Sequence, residues 1–249
     1  RAAAAIVFLW LLTQALEVKV QMKNFLTWST DYVKKILLIG VPSAFEQILY
    51  QTSQIVLLYY VTHVGAEALT ARQYAMNISM FIYLFAMAIG TGTAIMIGHY
   101  VGAGEKELAY NQVWKSVKSA LAVSLTMIVV VTLFREPLMG IFTDNERIIQ
   151  IGASVLVLSI LLETGRTINI TIINALRASG DARYPVKIGF ISMICIGLSV
   201  GYVLVFVLEL GLVGVWLAIA LDEWIRAILV LFRWKSRKWE RFAIVTKEE

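Results

Sequence analysis

The sequence predicts an all-α polytopic membrane protein, a six-transmembrane-helix bundle preceded by the end of another membrane helix. Three observations carry this. Of the 249 residues, 59% are hydrophobic and 16% charged, at a mean hydropathy of +0.75, whereas a water-soluble domain has about a quarter charged residues. Apolar runs of the roughly 20 residues needed to cross a bilayer recur along the chain. Several of them carry carboxylates well inside the run, at Glu46, Glu163 and Asp222. An ionisable group at the bilayer centre costs about 2.5–3.5 kcal/mol on insertion scales, so it marks an ion or substrate path by default.

Taken in order, residues 1–16 hold an apolar stretch shorter than a full span with no cleavage-site pattern, which reads as the end of a transmembrane helix inside a longer protein. Residues 17–35, with Lys19, Lys23, Lys34 and Lys35, read as a cytoplasmic linker. Six full helices follow at 36–62, 67–98, 113–134, 148–176, 185–208 and 212–232, making a unit over 36–233. The breaks are Gly65, the Gly102–Lys106 turn, Arg135-Glu136-Pro137, Ser179-Gly180-Asp181 and Glu209 to Gly211. Pro185 stands near a helix start, where its missing N–H does no harm. Residues 234–249 read as a basic, solvated cytoplasmic tail.

The positive charges orient the set. Lys106, Lys115, Lys118, Arg177, Arg183 and Lys187 fall in the same alternating group of connections as the linker lysines and the tail. The opposite connections hold Arg135 and Arg147, offset by Glu136, Asp144 and Glu146. The positive-inside rule then places both linker and C-terminus in the cytoplasm, for a multi-pass protein of a bacterial inner (plasma) membrane. Trp28, Trp114, Trp234 and Trp239 lie on that side, where interfacial aromatics belong. This bias accounts for the formal charge of +5 without nucleic acid.

Helical spacing sets the candidate residues. Pro42, Ser43, Glu46, Tyr50, Ser53 and Gln54 share one stripe, and Pro42 permits a bend there. Glu163, Arg166, Thr167, Asn174 and Arg177 share another, with Glu163 and Arg166 spaced for an intrahelical ion pair. Arg166 can choose between two glutamates, so protonating one changes where the arginine goes; alternatively the pair is self-compensating glue. Asp222, Glu223 and Arg226 form a secondary charge cluster nearer the cytoplasmic end, where Arg226 can snorkel to the headgroups. Cation coupling is thus expected at Glu46, Glu163 and Arg166, and a substrate cleft at Tyr50, Gln54 and Asn174.

Other signals are weaker. The glycines from Gly90 to Gly104 lack a terminal GK[ST] and are not a phosphate loop. Gly98 with Gly102, and Gly197 with Gly201, are spaced for tight helix contact. The lone Cys195 reads as a small packing residue and excludes an internal disulfide. His99 reads as a surface histidine. No catalytic triad, metal-ligand spacing or nucleotide motif is legible, so the chain is expected to be no enzyme, with no metal site and no cofactor.

Several segments resemble the multidrug and toxin extrusion (MATE) transporters: Ile39-Gly40-Val41-Pro42-Ser43-Ala44, Gly65-Ala66-Glu67-Ala68-Leu69, Gly90-Thr91-Gly92-Thr93-Ala94, Val101-Gly102-Ala103-Gly104-Glu105 and Ala175-Leu176-Arg177-Ala178-Ser179-Gly180-Asp181. They run from about 35 to 233 in the order of that family's second six-helix lobe. The resemblance implies a twelve-helix exporter of two six-helix lobes, with a cleft open alternately to each side and efflux of cationic or amphipathic compounds coupled to H⁺ or Na⁺ entry. Its partners would be the lipid bilayer, those small substrates and the N-terminal six-helix lobe of the same protein.

Two positions depart from the norfloxacin-type members. Their acid two turns after the first proline is Tyr50 here, and their aspartate eleven residues before Arg177 is Arg166. Glu46 and Glu163 are therefore assigned on depth and face alone. Mid-membrane acids Glu46, Glu163, Asp222 and Glu223 against Arg166 and Arg226 favour cationic cargo over the phosphate of a lipid-linked oligosaccharide flippase. A non-transporting scaffold would leave these charges without purpose.

Overall fold

The computed structural model of the protein describes residues 30–242 together with Val7 and Leu11. Between residues 31 and 46 it describes the helical backbone and some side chains; those of Pro42, Ser43 and Glu46 lie outside the described residues. Two compact units result, Arg1–Val41 and Pro42–Glu249. In the first, Val7 and Leu11 are helical and exposed, and residues 30–35, expected in the linker, already belong to a helix. Residues 17–29 and 243–249, and with them Trp28 and the end of the tail, lie outside the described residues.

The helices are α1 (Thr30–Val64), α2 (Ala66–Gly102), α3 (Lys106–Leu133), the short α4 (Arg135–Gly140) and α5 (Glu146–Ala178). Then come α6 (Arg183–Val207), α7 (Gly211–Lys235) and a 3₁₀ turn at Lys238–Phe242. Among the described residues there is no strand. Four of the helices, α2, α3, α5 and α6, are long and apolar enough to cross a membrane. Helices stand at all six of the full positions expected, most of them extended by a few residues at their ends, while the stretch 2–16 lies outside the described residues except for Val7 and Leu11.

The breaks have local causes. Gly65 turns α1 into α2 at φ +132°, a conformation that L side chains rarely adopt. Asn145 caps α5, its side-chain oxygen accepting from the N–H groups of Arg147 and Ile148. Gly180 sits at φ +97° against the Phe242 carbonyl, where a Cβ would collide. The expected break at residues 135–137 is instead the first turn of α4, which docks Met139 into the space left by Gly152 of α5. A Cβ on Gly152 would overlap the Met139 side chain, so Gly152→Leu should destabilise the fold by about 1–3 kcal/mol. Thermal unfolding in detergent checks this, and Met139→Ala in the same protein should restore part of the loss.

In the second unit α5 is the central helix, packed against α2, α3 and α7. Its apolar residues belong to two separate clusters, one including Leu156 and Leu162, the other Ile168, Ile172 and Leu176. On α7 the same division falls between Ala220 and Ala227. Glu163 and Arg166 of α5, and Asp222, Glu223 and Arg226 of α7, stand at the gap between the clusters. Elsewhere the outer surface is apolar: Phe81, Phe85, Ile95, Leu133 and Phe232 are exposed, as suits a lipid-facing wall.

Helix α6 departs from the continuous α-helix expected. It carries π-helical turns at Met193–Leu198 and Val203–Val207, features common at functional sites. Gly197 on the first of these turns and Gly201 between the two face Asp222 and Ala218 of α7, in keeping with close approach. A Cβ at Gly98 or Gly102 would meet nothing within 4 Å among the described residues, so the same spacing marks no contact with them. Cys195 is exposed rather than packed.

The C-terminal segment also differs from expectation. Trp234 and Trp239 are 0% exposed and stack with centroids 4.3 Å apart, so they are core residues rather than interfacial anchors. Arg233 donates to Asp181 at 2.7 Å while lying over the Tyr184 ring, and Arg237 pairs with Glu107 of α3. Residues 234–242 are therefore folded onto the helices and not a solvated tail.

Candidate functional site

In the gap between the two apolar clusters, α5 and α7 build one chain of alternating charges. Arg166 Nη1 donates to Glu163 Oε1 at 2.7 Å, the intrahelical pair that the spacing predicts. Arg166 Nε also reaches Glu223 Oε1 at 3.5 Å. Arg226 Nη2 lies 3.2 Å from the same Glu223 oxygen and 2.6 Å from Asp222 Oδ2. Asn169 donates to the other Glu223 oxygen at 2.8 Å, and the Ser192 hydroxyl from α6 donates to Asp222. Glu163 is only 1% exposed, and Asp222 and Glu223 are buried as well.

Two expectations change here. The residues set apart as a secondary cluster join the Glu163–Arg166 pair directly, so the site is one network across two helices. Arg226 is turned inward between two carboxylates instead of snorkelling, because a guanidinium offering several donors satisfies both at once. The two glutamates between which Arg166 stands are Glu163 and Glu223. The side chain of Glu46 lies outside the described residues, so its place relative to the network is not described.

Neighbouring side chains fix the network. Gly165 lets the Trp224 ring lie directly on α5, and Trp224 donates to the Leu161 carbonyl at 2.7 Å. Thr167 donates to Ser124 of α3 at 2.9 Å, and Trp216 donates to Ser159 at 3.2 Å. The two tryptophan contacts hold α5 and α7 in one register, which keeps Glu223 of α7 opposite Arg166.

Two cavities flank the network. The first, about 400 Å³, is lined by Tyr50, Gln54, Arg72, Met76, Glu163 and Arg166 among others. The second, about 450 Å³, is lined by Tyr50, Asn169, Asn174, Arg166, Glu223 and Arg226 among others. The expected cleft residues are thereby divided, with Gln54 in the first cavity, Asn174 in the second and Tyr50 in both. Met76, Met80, Met87 and Met193 on these walls supply soft apolar surface that adapts to ligands of different shape.

Sequence reasoning missed Arg72 and Asn169. Arg72 lies within α2, one residue before Gln73, and was hidden by its nearness to the Gly65 turn. It is buried, and its Nη2 donates to Gln54 Oε1 at 3.4 Å. Its charge alters the balance. Among the described residues the site sets the buried Glu163, Asp222 and Glu223 against the buried Arg72 and the partly buried Arg166 and Arg226, so these charges balance. Among the described residues no His, Cys, Asp and Glu group has metal-binding geometry.

The model of a protein family described as MatE matches residues 42–203. The chain belongs to the MATE family of transporters. It is similar to an uncharacterized transporter, YisQ, of Bacillus subtilis (39% identical, covering 96% of this chain and 52% of that protein). It is also similar to a probable multidrug resistance protein, NorM, of Thermotoga maritima (31% identical, covering 89% and 47%). A solved structure titled as the outward-facing conformation of a multidrug resistance MATE family transporter of the MOP superfamily superposes with a TM-score of 0.83 at 18% identity, covering 98% of this chain and 54% of that one. A MATE crystal structure in the straight conformation gives a TM-score of 0.81 at 17% identity. These structures show the MATE fold. The chain spans about half the length of the curated relatives it matches.

Proposed function

We propose that this chain is the second six-helix lobe of a twelve-helix MATE-type secondary transporter. Residues 36–233 form the lobe, residues 17–35 link it to the first, and the C-terminus lies in the cytoplasm of a bacterial inner membrane. The complete protein exports amphipathic compounds, cationic ones included, by alternating access coupled to H⁺ or Na⁺ entry. It makes and breaks no covalent bond in its cargo. The observation that carries this reading is the buried Glu163–Arg166–Glu223–Arg226–Asp222 chain set against two cavities.

The chemistry is an exchange of partners. Arg166 bridges Glu163 and Glu223, so neutralising Glu163 by a proton leaves the guanidinium to Glu223 alone and biases one arrangement of α5 against α7. A coupling ion acts only through such differential interaction with two states. Glu46 is a second coupling group by its depth in α1, and Tyr50, Gln54 and Asn174 contact cargo. We assign H⁺ in preference to Na⁺, since the carboxylates of the network are engaged by arginines rather than gathered around an open oxygen cage.

Cells carrying the complete gene should lose preloaded ethidium faster than cells without it. Glu163→Gln, which keeps the shape and removes the charge, should reduce that efflux about tenfold or more while the protein remains folded. Dye loss at the wild-type rate in Glu163→Gln would overturn the coupling role. Proteoliposomes given a pH gradient or a Na⁺ gradient separately would decide the ion.

A further inference from the structure

Two buried polar atoms on α2 have no hydrogen-bond partner among the described residues, Nε of Arg72 and Oγ of Ser79. The residues are seven apart, hence on one helix face two turns from each other. Both line the first cavity, at 7% and 5% exposure. The guanidinium has one partner there, the Gln54 amide oxygen at 3.4 Å, a long and uncharged acceptor. The charged side chains lining that cavity are Arg72, Glu163 and Arg166. Glu163 and Arg166 satisfy each other at 2.7 Å, so among the described residues the positive charge of Arg72 has no carboxylate to balance it.

A guanidinium without a carboxylate is costly to bury, and its fork of donors matches an oxyanion. A hydroxyl two turns along offers a further donor. Met76 and Met80 are exposed beside them on the same cavity wall, a soft apolar surface. The cavity volume of about 400 Å³ suits a drug-sized molecule.

We propose that Arg72 and Ser79 form an oxyanion-recognition subsite, which takes the acid group of an amphiphile whose apolar body rests on Met76 and Met80. The subsite rests on the transporter reading above and narrows its cargo. Compounds bearing a carboxylate or phosphate, zwitterions included, are preferred to plain cations of the same shape.

A xanthene dye as its free carboxylate and as its methyl ester provides a matched pair. Binding of each to the purified complete protein is followed by fluorescence anisotropy in a non-ionic detergent. The wild type should bind the free acid about tenfold or more tightly than the ester, the scale of a charge-assisted hydrogen bond. Arg72→Gln should bring that ratio close to unity, Ser79→Ala should lower it, and Arg72→Lys should keep part of it. If Arg72→Gln does not fold, the wild-type ratio and Arg72→Lys decide the matter.

Displacement of the free acid by phosphatidylglycerol or phosphatidylcholine, but not by diacylglycerol, which lacks the phosphate, would identify a lipid phosphate as the natural oxyanion. No displacement by either phospholipid would identify a soluble acid; both results support the subsite. Equal binding of the two dye forms by the wild type, or equal loss of both in Arg72→Gln, overturns the subsite and leaves the export reading standing. Binding of neither form overturns the export reading and the subsite with it.

Discussion

Arg166→Ala is expected to cost about 3–5 kcal/mol of stability, because it strands a carboxylate in the core of the bundle. Glu163 is 1% exposed, and its ionic partner among the described residues is Arg166 at 2.7 Å. Glu223 loses one contact in the same mutant but keeps Arg226 and Asn169. The damage should therefore come through Glu163. Arg166→Ala with Glu163→Ala should recover most of the thermal stability in detergent, since the stranded charge is gone. Transport should remain lost in the double mutant if the pair couples ion to cargo. Recovery of folding and efflux together would make the pair structural glue. No recovery of folding would place the main cost at Glu223.

The parts of this site that lie on one helix were legible in the sequence. Glu163 and Arg166 stand three residues apart in an apolar run, and that spacing alone brings them within hydrogen-bonding reach. Asp222, Glu223 and Arg226 were legible as a group for the same reason. What the sequence withheld was their joining. Whether Arg166 also meets Glu223 depends on how α5 and α7 are rotated against each other, and Gly165 under Trp224 sets that rotation.

Arg72 shows a different limit. A lone arginine near a helix start reads as a headgroup ligand, and only packing reveals that it is turned inward onto Gln54. The aromatic positions failed in the same way. Trp234 and Trp239 have the composition of an interfacial belt, but the chain bends back at Arg237, with φ +54°, and stacks them in the interior. The helices themselves were largely recovered, because apolar length is a local property. The π-helical turns of α6 were not; both lie against α7, a neighbour that no local pattern reveals.

Arg226→Ala separates the two views of the last helix. If Arg226 reached out to lipid headgroups, its removal would cost less than about 1 kcal/mol, as for an exposed ion pair. The structure instead sets its Nη2 at 2.6 Å from Asp222 and 3.2 Å from Glu223, with all three side chains buried or nearly so. Glu223 would keep Arg166 and Asn169 after the mutation. Asp222 would keep the Ser192 hydroxyl, which does not neutralise its charge. A loss of about 3–5 kcal/mol is therefore expected, read as a lower unfolding temperature in detergent and lower yield from membranes. Arg226→Lys should recover part of it, because an ammonium can face Asp222 but cannot span both carboxylates with a planar fork. Asp222→Asn combined with Arg226→Ala should recover more, by removing the unpaired charge while keeping a partner for Ser192. A mild Arg226→Ala phenotype, with no gain from Asp222→Asn, would return Arg226 to the headgroups and split the network at Glu223.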